Sequence, residues 1–210
     1  ANVIMLPGGF SCGDEPDGSG KFIATTFSNP YIAEAVMDLL KKRDGLILGI
    51  CNGFQALIKL GLVPNGQVMP LSAESPTLTY NNIGRHVSTI VKIRVASNKS
   101  PWLNKCKPGE IYSVPVSHGE GKFIADEKVM SELIRKGQIA TQYADESGKP
   151  TMLSPFNPNG SYNAVEGILS EDGRIFGKMG HTERRNNGLY RNVDGNYDMP
   201  LFSSAAEYYK

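Results

Sequence analysis

Cysteine is scarce in this sequence. Cys12, Cys51 and Cys106 are the only three in 210 residues and lie far apart, which argues against a disulfide framework or a zinc site and fits a reducing cytoplasm. Histidine is equally sparse, with three, so each can be weighed singly. Neither sign of charge is in excess: 22 lysines and arginines against 21 acidic residues leave +1, no electrostatic case for nucleic acid or an anionic membrane. No apolar run reaches the roughly 20 residues of a membrane helix, and the first residues do not read as a signal peptide. A Gly-rich phosphate loop ending in Lys-Ser or Lys-Thr is missing, as is any acidic metal cluster, so no metal site is expected in this chain. Internal repeats and low-complexity linkers are absent too. What remains is ample for one domain, residues 1–210, burying roughly 70% of its unfolded surface.

The most informative stretch is Leu46-Ile47-Leu48-Gly49-Ile50-Cys51-Asn52-Gly53-Phe54-Gln55. An apolar run with the look of a buried strand stops at a cysteine, and a helical pattern (Phe54, Leu57, Ile58, Leu60) begins at once. A sharp strand-to-helix turn of this kind lifts a nucleophile clear of a sheet, while Gly49 and Gly53 allow close approach of backbone and substrate. The turn also sets Cys51 at a helix N-terminus, where unpaired N–H groups and the dipole favour thiolate. The same pattern fits a buried structural cysteine at a tight turn. A catalytic cysteine needs a base.

Of the three histidines, His86 sits among polar residues leading into the alternating strand Val87 to Val95 and reads as a strand-edge or surface residue. His118, in Val116-Ser117-His118-Gly119-Glu120-Gly121, follows a strand and is placed to line a site. His181 also follows a strand, Arg174 to Met179, and carries Glu183 two residues on. A carboxylate that holds one imidazole nitrogen fixes the tautomer and aim of the other. Cys51, His181 and Glu183 are therefore the candidate triad. Near the start, Met5-Leu6-Pro7-Gly8-Gly9-Phe10-Ser11 follows the short strand Val3 to Leu6. Its backbone N–H groups, with that of Asn52, could receive an oxyanion.

The coarse pattern is α/β. Asn29-Pro30 opens a helix with Ile32, Ala35, Val36, Leu39 and Leu40 on one face and Lys41-Lys42-Arg43 at its end. Strands are expected at Leu46–Ile50, Val87–Val95, Glu110–Val116, Ile139–Tyr143, Ala164–Leu169 and Arg174–Met179, the last two joined by a turn at Glu171-Asp172-Gly173. Short helices are expected at Lys128–Lys136 and Pro200–Tyr209. Asn65 to Asn82 reads as a surface loop, as does the turn-rich Ser154-Pro155-Phe156-Asn157-Pro158-Asn159-Gly160-Ser161. Asn186 to Asp198 reads as an interface loop or a mobile one.

Taken together, PGGFSCGD, LGICNGFQALIKLGLVP, PVSHGEG, NPNGS and GHTERR resemble the glutaminase domain of phosphoribosylformylglycinamidine synthase, a class I, triad-type glutamine amidotransferase of purine biosynthesis. The likeness runs in order from Pro7 to about Arg185, and the tail is similar to the C-terminal end of the long, fused form. The resemblance implies a three-layer fold, class I amidotransferase-like and flavodoxin-like, with a mostly parallel sheet flanked by helices. That fold places a strand and a helix ahead of the Pro-Gly-Gly segment, so the chain is expected to be N-terminally truncated, with an open strand edge or apolar surface left behind.

The resemblance also implies roles. Cys51 is the nucleophile, His181 the base and acid, and Glu183 the orienting carboxylate. Gly9 and Asn52 supply oxyanion N–H groups, Gln55 holds the amino-acid end of glutamine, and His118 and Gly119 line the same pocket. The partner is a synthetase region, expected on the same full-length chain, that receives ammonia and carries the ATP and Mg²⁺. The NPNGS segment is expected near the glutamine pocket or toward that synthetase. Two departures stand out: Gly180 and Thr182 replace the usual prolines on either side of His181, loosening the backbone there, and Cys12 stands where tyrosine is common. Rival readings are a glutaminase serving a different synthetase, lacking the segments at Ser117–Gly121 and Asn157–Ser161, and a docking domain with a relic site.

Overall fold

In a computed structural model the chain is described over residues 1–9, 19–185 and 189–210. Phe10, Ser11 and Cys12, and the first three residues of the Asn186–Asp198 segment, lie outside these residues. The elements run β1 (Val3–Leu6), α1 (Lys21–Phe27), α2 (Pro30–Lys42), β2 (Leu46–Ile50), α3 (Asn52–Lys59), α4 (Leu62–Asn65), β3 (Thr77–Tyr80), β4 (Val87–Val95), β5 (Ile111–His118), β6 (Glu120–Ile124), α5 (Glu127–Arg135), β7 (Ile139–Ala144), β8 (Val165–Leu169), β9 (Ile175–Lys178) and α6 (Leu201–Tyr208).

Local chemistry accounts for most of these boundaries. The Asn29 side chain accepts the N–H of Tyr31, Pro30 occupies the first helical position, and Lys41 and Lys42 sit in the last turn of α2. Its apolar stripe buries Val36, Leu39 and Leu40. Asp126 caps α5 by accepting the N–H of Val129 at 2.7 Å. Strand β2 is buried at every position, as a strand covered on both faces must be. Gly173, with φ 77°, turns β8 back into β9.

One expectation fails for a physical reason, and one helix carries no sequence signal. The stretch taken as surface loop contains β3, which pairs antiparallel with β6 and buries Leu78 opposite Phe123. Four residues beside Pro76 are too short to show a period. Helix α1 has no buried residue and no side-chain cap, so the sequence carries no stripe to read.

The main sheet has seven strands in the order β1-β2-β9-β8-β7-β4-β5. Pairings β1–β2 and β2–β9 are parallel, whereas β9–β8, β8–β7, β7–β4 and β4–β5 are antiparallel. Following these pairings, five of the seven strands point one way and β8 and β4 the other. The sheet is thus mostly parallel in direction, but only its β1–β2–β9 part is parallel in pairing. It also curls. Strand β5 forms the far edge from β1, yet its Pro115 carbonyl accepts the N–H of His181, which follows β9, at 2.8 Å. At the opposite edge β1 has no strand beyond it among the described residues, and Met5 is half exposed.

Helix α3 packs across β1, β2 and β9 because two glycines let it. A Cβ on Gly53 would lie 2.0 Å from the Leu6 carbonyl oxygen, and one on Gly49 would lie 2.7 Å from the Gly53 backbone. Gly53→Ala should therefore destabilise the fold by about 1–3 kcal/mol through overpacking, read as a lowered urea midpoint. Gly119→Ala, whose Cβ meets nothing within 4 Å, should leave the midpoint unmoved. Equal midpoints for both variants would contradict this packing.

Candidate functional site

The elbow forms as its sequence suggests. Cys51 caps α3 with φ 53° and ψ −107°, a region a non-glycine residue enters only at a cost of order 1–3 kcal/mol. Its N–H donates to the Lys178 carbonyl of β9 at 2.8 Å and its own carbonyl accepts from Gln55 at 3.0 Å, which hold the turn from both sides. The Sγ lies 3.6 Å from the Ser117 carbonyl oxygen of β5.

His181 is buried just beyond β9. Its Nδ1 lies 2.6 Å from Glu183 Oε1, and its Nε2 is buried without a hydrogen-bond partner. When the ring is neutral, a carboxylate at Nδ1 makes that nitrogen the donor and leaves Nε2 a free lone pair. The position of Gly8 shows how close His181 and Cys51 come: a Cβ added there would lie 2.5 Å from His181 Cε1 and 3.1 Å from Cys51 Cβ. The first glycine of the Pro-Gly-Gly segment is the gap between them. The second, Gly9, has φ 98°, and its N–H and that of Asn52 both approach the Cys51 sulfur.

Electrostatics here run against the expectation of a ready thiolate. Burial pushes the Cys51 thiol up to about 11, outweighing the Asn52 N–H, the Arg184 charge and the Gly9 N–H, all of which favour the anion. A helix terminus contributes at most about 2 kcal/mol, too little to offset loss of water around a thiolate. Burial also works against the Glu183 carboxylate, but the hydrogen bond and charge of His181 prevail and hold it below the usual range. His118 is driven down to about 4, first by burial and then by the charges of His86 and His181. It stays neutral, its Nδ1 3.1 Å from Asn81 Oδ1 and its buried Nε2 unpartnered.

A cavity of about 140 Å³ opens beside the thiol, lined among others by Gly9, Cys51, Asn52, Gln55, His118 and Gly119. That is well below the roughly 300–1,000 Å³ of drug-sized pockets and suits a ligand of amino-acid size. The Gln55 Nε2 donates to the Glu120 carbonyl at 2.5 Å, leaving its buried Oε1 without a partner. All eight residues singled out in the sequence thus gather in one place.

The sequence reading missed others. His86, taken for a surface residue, is exposed but sits on the cavity wall, Nε2 3.0 Å from Ser117 Oγ. Arg184 and Ser19 also line it. The available signal was rarity: all three histidines of the chain converge here. The NPNGS segment is no surface loop. Asn157, Asn159 and Ser161 are buried, and Asn159 Nδ2 donates to the Gly121 carbonyl at 2.7 Å and the Tyr143 hydroxyl at 3.0 Å. It braces the strand behind His118 without lining the cavity. Nor is the backbone at Gly180 loose. Its N–H donates to Glu166 Oε1 and its carbonyl accepts from Lys178 Nζ, both at 2.6 Å. Among the described residues no group of three or more His, Cys, Asp or Glu is placed to hold a metal ion.

Comparison with known proteins gives the family. A CobB/CobQ-like glutamine amidotransferase domain matches residues 1–209. The phosphoribosylformylglycinamidine synthase subunit PurQ of Aquifex aeolicus is 34% identical over 196 residues, covering 92% of this chain and 77% of that protein. Its counterpart from Trichormus variabilis is 34% identical over 206 residues, covering 98% and 79%. Among solved structures, PurLQS from Thermotoga maritima superposes with a TM-score of 0.71 at 29% identity, covering all of this chain and 80% of that one. The glutaminase domain of Trypanosoma brucei CTPS, solved with bound acivicin, shares the fold at a TM-score of 0.52 and 13% identity, covering 98% and 71%. The chain belongs to the CobB/CobQ-like glutamine amidotransferase family and is akin, over nearly its whole length, to PurQ subunits of phosphoribosylformylglycinamidine synthase.

Proposed function

We propose that this chain hydrolyses the side-chain amide of glutamine through a Cys51–His181–Glu183 triad and delivers the ammonia to a synthetase that converts formylglycinamide ribonucleotide to its amidine. The observation that carries the reading is the His181 imidazole, fixed at Nδ1 by Glu183 and left with a buried, unpartnered Nε2 across a glycine-sized gap from Cys51.

The chemistry follows from that arrangement. A thiol at about 11 is only about 10⁻⁴ ionised at neutral pH, so the proton must leave as the substrate arrives. His181 Nε2 takes it as Sγ attacks the carboxamide carbon. The C=O electron pair moves onto oxygen, and the N–H groups of Gly9 and Asn52 receive the anion. His181 returns the proton to the amide nitrogen, the C–N bond breaks, and ammonia leaves a glutamyl thioester. Water then gives a proton to the same Nε2 and attacks the thioester carbon, and collapse releases glutamate and restores the thiol. Gln55 Oε1 is a free acceptor suited to the glutamine ammonium, and Arg184 is a cation at the wall suited to the carboxylate. Neutral His118 adds a second acceptor without adding charge.

ATP and Mg²⁺ act in the synthetase in this proposal. The resemblance puts that synthetase on the same polypeptide, whereas the relatives' names describe a separate subunit. The mass of the natural polypeptide distinguishes the two. Scarce cysteine supports a cytoplasmic setting, and no helix among the described residues is long and apolar enough to cross a membrane.

A glutamine-shaped diazo-ketone should alkylate Cys51 stoichiometrically and Cys106 not at all, with excess glutamine blocking the reaction; mass spectrometry of the adduct decides. Labelling of Cys12 or Cys106 equal to that of Cys51, or no labelling, contradicts the proposal. In glutaminase assays of the protein with its synthetase, Glu183→Gln should lower kcat by about 10²–10⁴-fold, the scale seen when the orienting carboxylate of a triad is neutralised. KM for glutamine should hardly change. A small alkylating reagent tests the pH dependence. Cys106, raised by burial to about 11, should react about tenfold faster per pH unit up to that point, since only the thiolate reacts. Cys51 in His181→Ala should climb with the same slope, whereas with His181 present the imidazole takes the proton as the sulfur attacks, so its rate at neutral pH should exceed that of the variant. Identical profiles with and without His181 would show that the imidazole does not serve the thiol.

A further inference from the structure

Beneath His181 lies an ion pair that the proposed chemistry does not use. Glu166 of β8 and Lys178 of β9 have fully buried side chains, with Lys178 Nζ 3.2 Å from Glu166 Oε1. The second carboxylate oxygen accepts the hydroxyl of Thr141 on β7. Pairs of this kind rarely stabilise a fold more than apolar side chains of equal volume would, so a fully buried one invites the question of what else it holds.

It holds one peptide unit on each side. Glu166 Oε1 accepts the Gly180 N–H at 2.6 Å, and Lys178 Nζ donates to the Gly180 carbonyl at 2.6 Å. The next N–H, that of His181, donates to the Pro115 carbonyl at 2.8 Å. Gly180, the residue ahead of His181, is thereby fixed at both its polar groups, and His181 at its backbone N–H. A Cβ at position 180 would lie 2.6 Å from Val114 Cγ2, 2.9 Å from Glu166 Oε1 and 3.2 Å from Lys178 Nζ. Only glycine fits against the pair, and a proline would also lack the N–H that Glu166 accepts. Covalent stiffening of the backbone by a proline is thus closed to this position. We infer that Glu166 and Lys178 are positioning residues that do this task by hydrogen bonds, clamping Gly180 so that the His181 imidazole faces Cys51. The inference rests on the glutaminase reading and adds two residues to it.

The test uses the complete protein with its synthetase, with rates taken per folded molecule. In Glu166→Ala combined with Lys178→Met, which replaces the pair by apolar groups, kcat for glutamine hydrolysis should fall at least tenfold. KM should change less than twofold, because neither residue lines the cavity. Glu166→Gln, which keeps an oxygen for the Gly180 N–H, should retain at least a third of the wild-type kcat, and Glu166→Leu should not. Should the double variant fail to fold, this Gln-against-Leu contrast still decides. A proton resonance provides a readout apart from turnover: the low-field signal of His181 Nδ1–H, identified by its loss in Glu183→Gln, should shift or broaden in the double variant and persist in Glu166→Gln. An active wild type together with a double variant of unchanged kcat and unchanged resonance overturns this inference alone. A wild type that does not hydrolyse glutamine overturns it along with the glutaminase reading.

Discussion

The backbone of β1 and the first turn of α3 touch at Leu6 and Gly53, and the site depends on that contact. With no side chain at Gly53, the helix settles directly on the strand end, and a Cβ there would meet the Leu6 carbonyl at 2.0 Å. The same seating brings the end of β1 level with Cys51. Gly8 then fills the space between the thiol and the imidazole, and Gly9 turns with φ 98° so that its N–H approaches the sulfur. The unfavourable φ of Cys51 is tolerated because bonds from Cys51 N–H to Lys178 and from Gln55 N–H to Cys51 leave the turn no alternative. The elbow is less a property of the cysteine than of the glycines that surround it.

Dehydration sets the electrical character of the site. It raises the thiol to about 11 and lowers His118 to about 4, so both rest uncharged at neutral pH. Glu183, partly open to water and hydrogen-bonded by His181, is held toward its charged form. In the proposed reading, a cavity walled this way favours a neutral electrophile such as a carboxamide, and Arg184, a cation among the described lining residues, sits where it could meet a ligand's charged end. Low polarity also strengthens each N–H aimed at a developing anion. In the proposed chemistry, burial that disfavours a resting thiolate thus favours the transition state that the thiolate leads to.

What the sequence revealed and what it hid differ by the range of the interactions involved. The elbow was legible because strand, cysteine, glycines and helix are contiguous. His181 and Glu183 were legible because a carboxylate two residues from an imidazole needs no long-range information. Boundaries set by local chemistry, such as Asn29-Pro30 opening α2, were legible as well. His86 and Ser117 were not, since their place on the cavity wall comes from a sheet that curls. Glu166 looked like an ordinary strand residue, and nothing in its neighbourhood along the chain announces a lysine twelve positions later reaching the same glycine. The glycine at 180 read as loosening, because sequence alone registers the proline that is missing and not the pair that takes its place.

That curl deserves a physical account, because it decides which strands can share one site. In sheet order β5 stands at the opposite edge from β1, yet Ser117 lies 3.6 Å from the Cys51 sulfur and Pro115 bonds to His181. A flat sheet of seven strands, at nearly 5 Å between neighbours, would hold these edges far apart. Twist accumulated over successive antiparallel pairings folds the β4–β5 edge over the ends of β2 and β9. The parallel half then supplies Cys51, His181 and the glycine turn at its carboxyl ends, where open α/β sheets bind ligands. The antiparallel half supplies a wall: Ser117, His118 and Gly119, backed by Asn81 and the buried NPNGS segment. Neither half encloses a cavity by itself. The division also explains why the two buried, unpartnered imidazole nitrogens belong to different halves, one at the end of β5 and one beyond β9. They meet only because the sheet closes on itself, so any change that flattens it would separate the wall from the thiol while leaving each strand pairing intact.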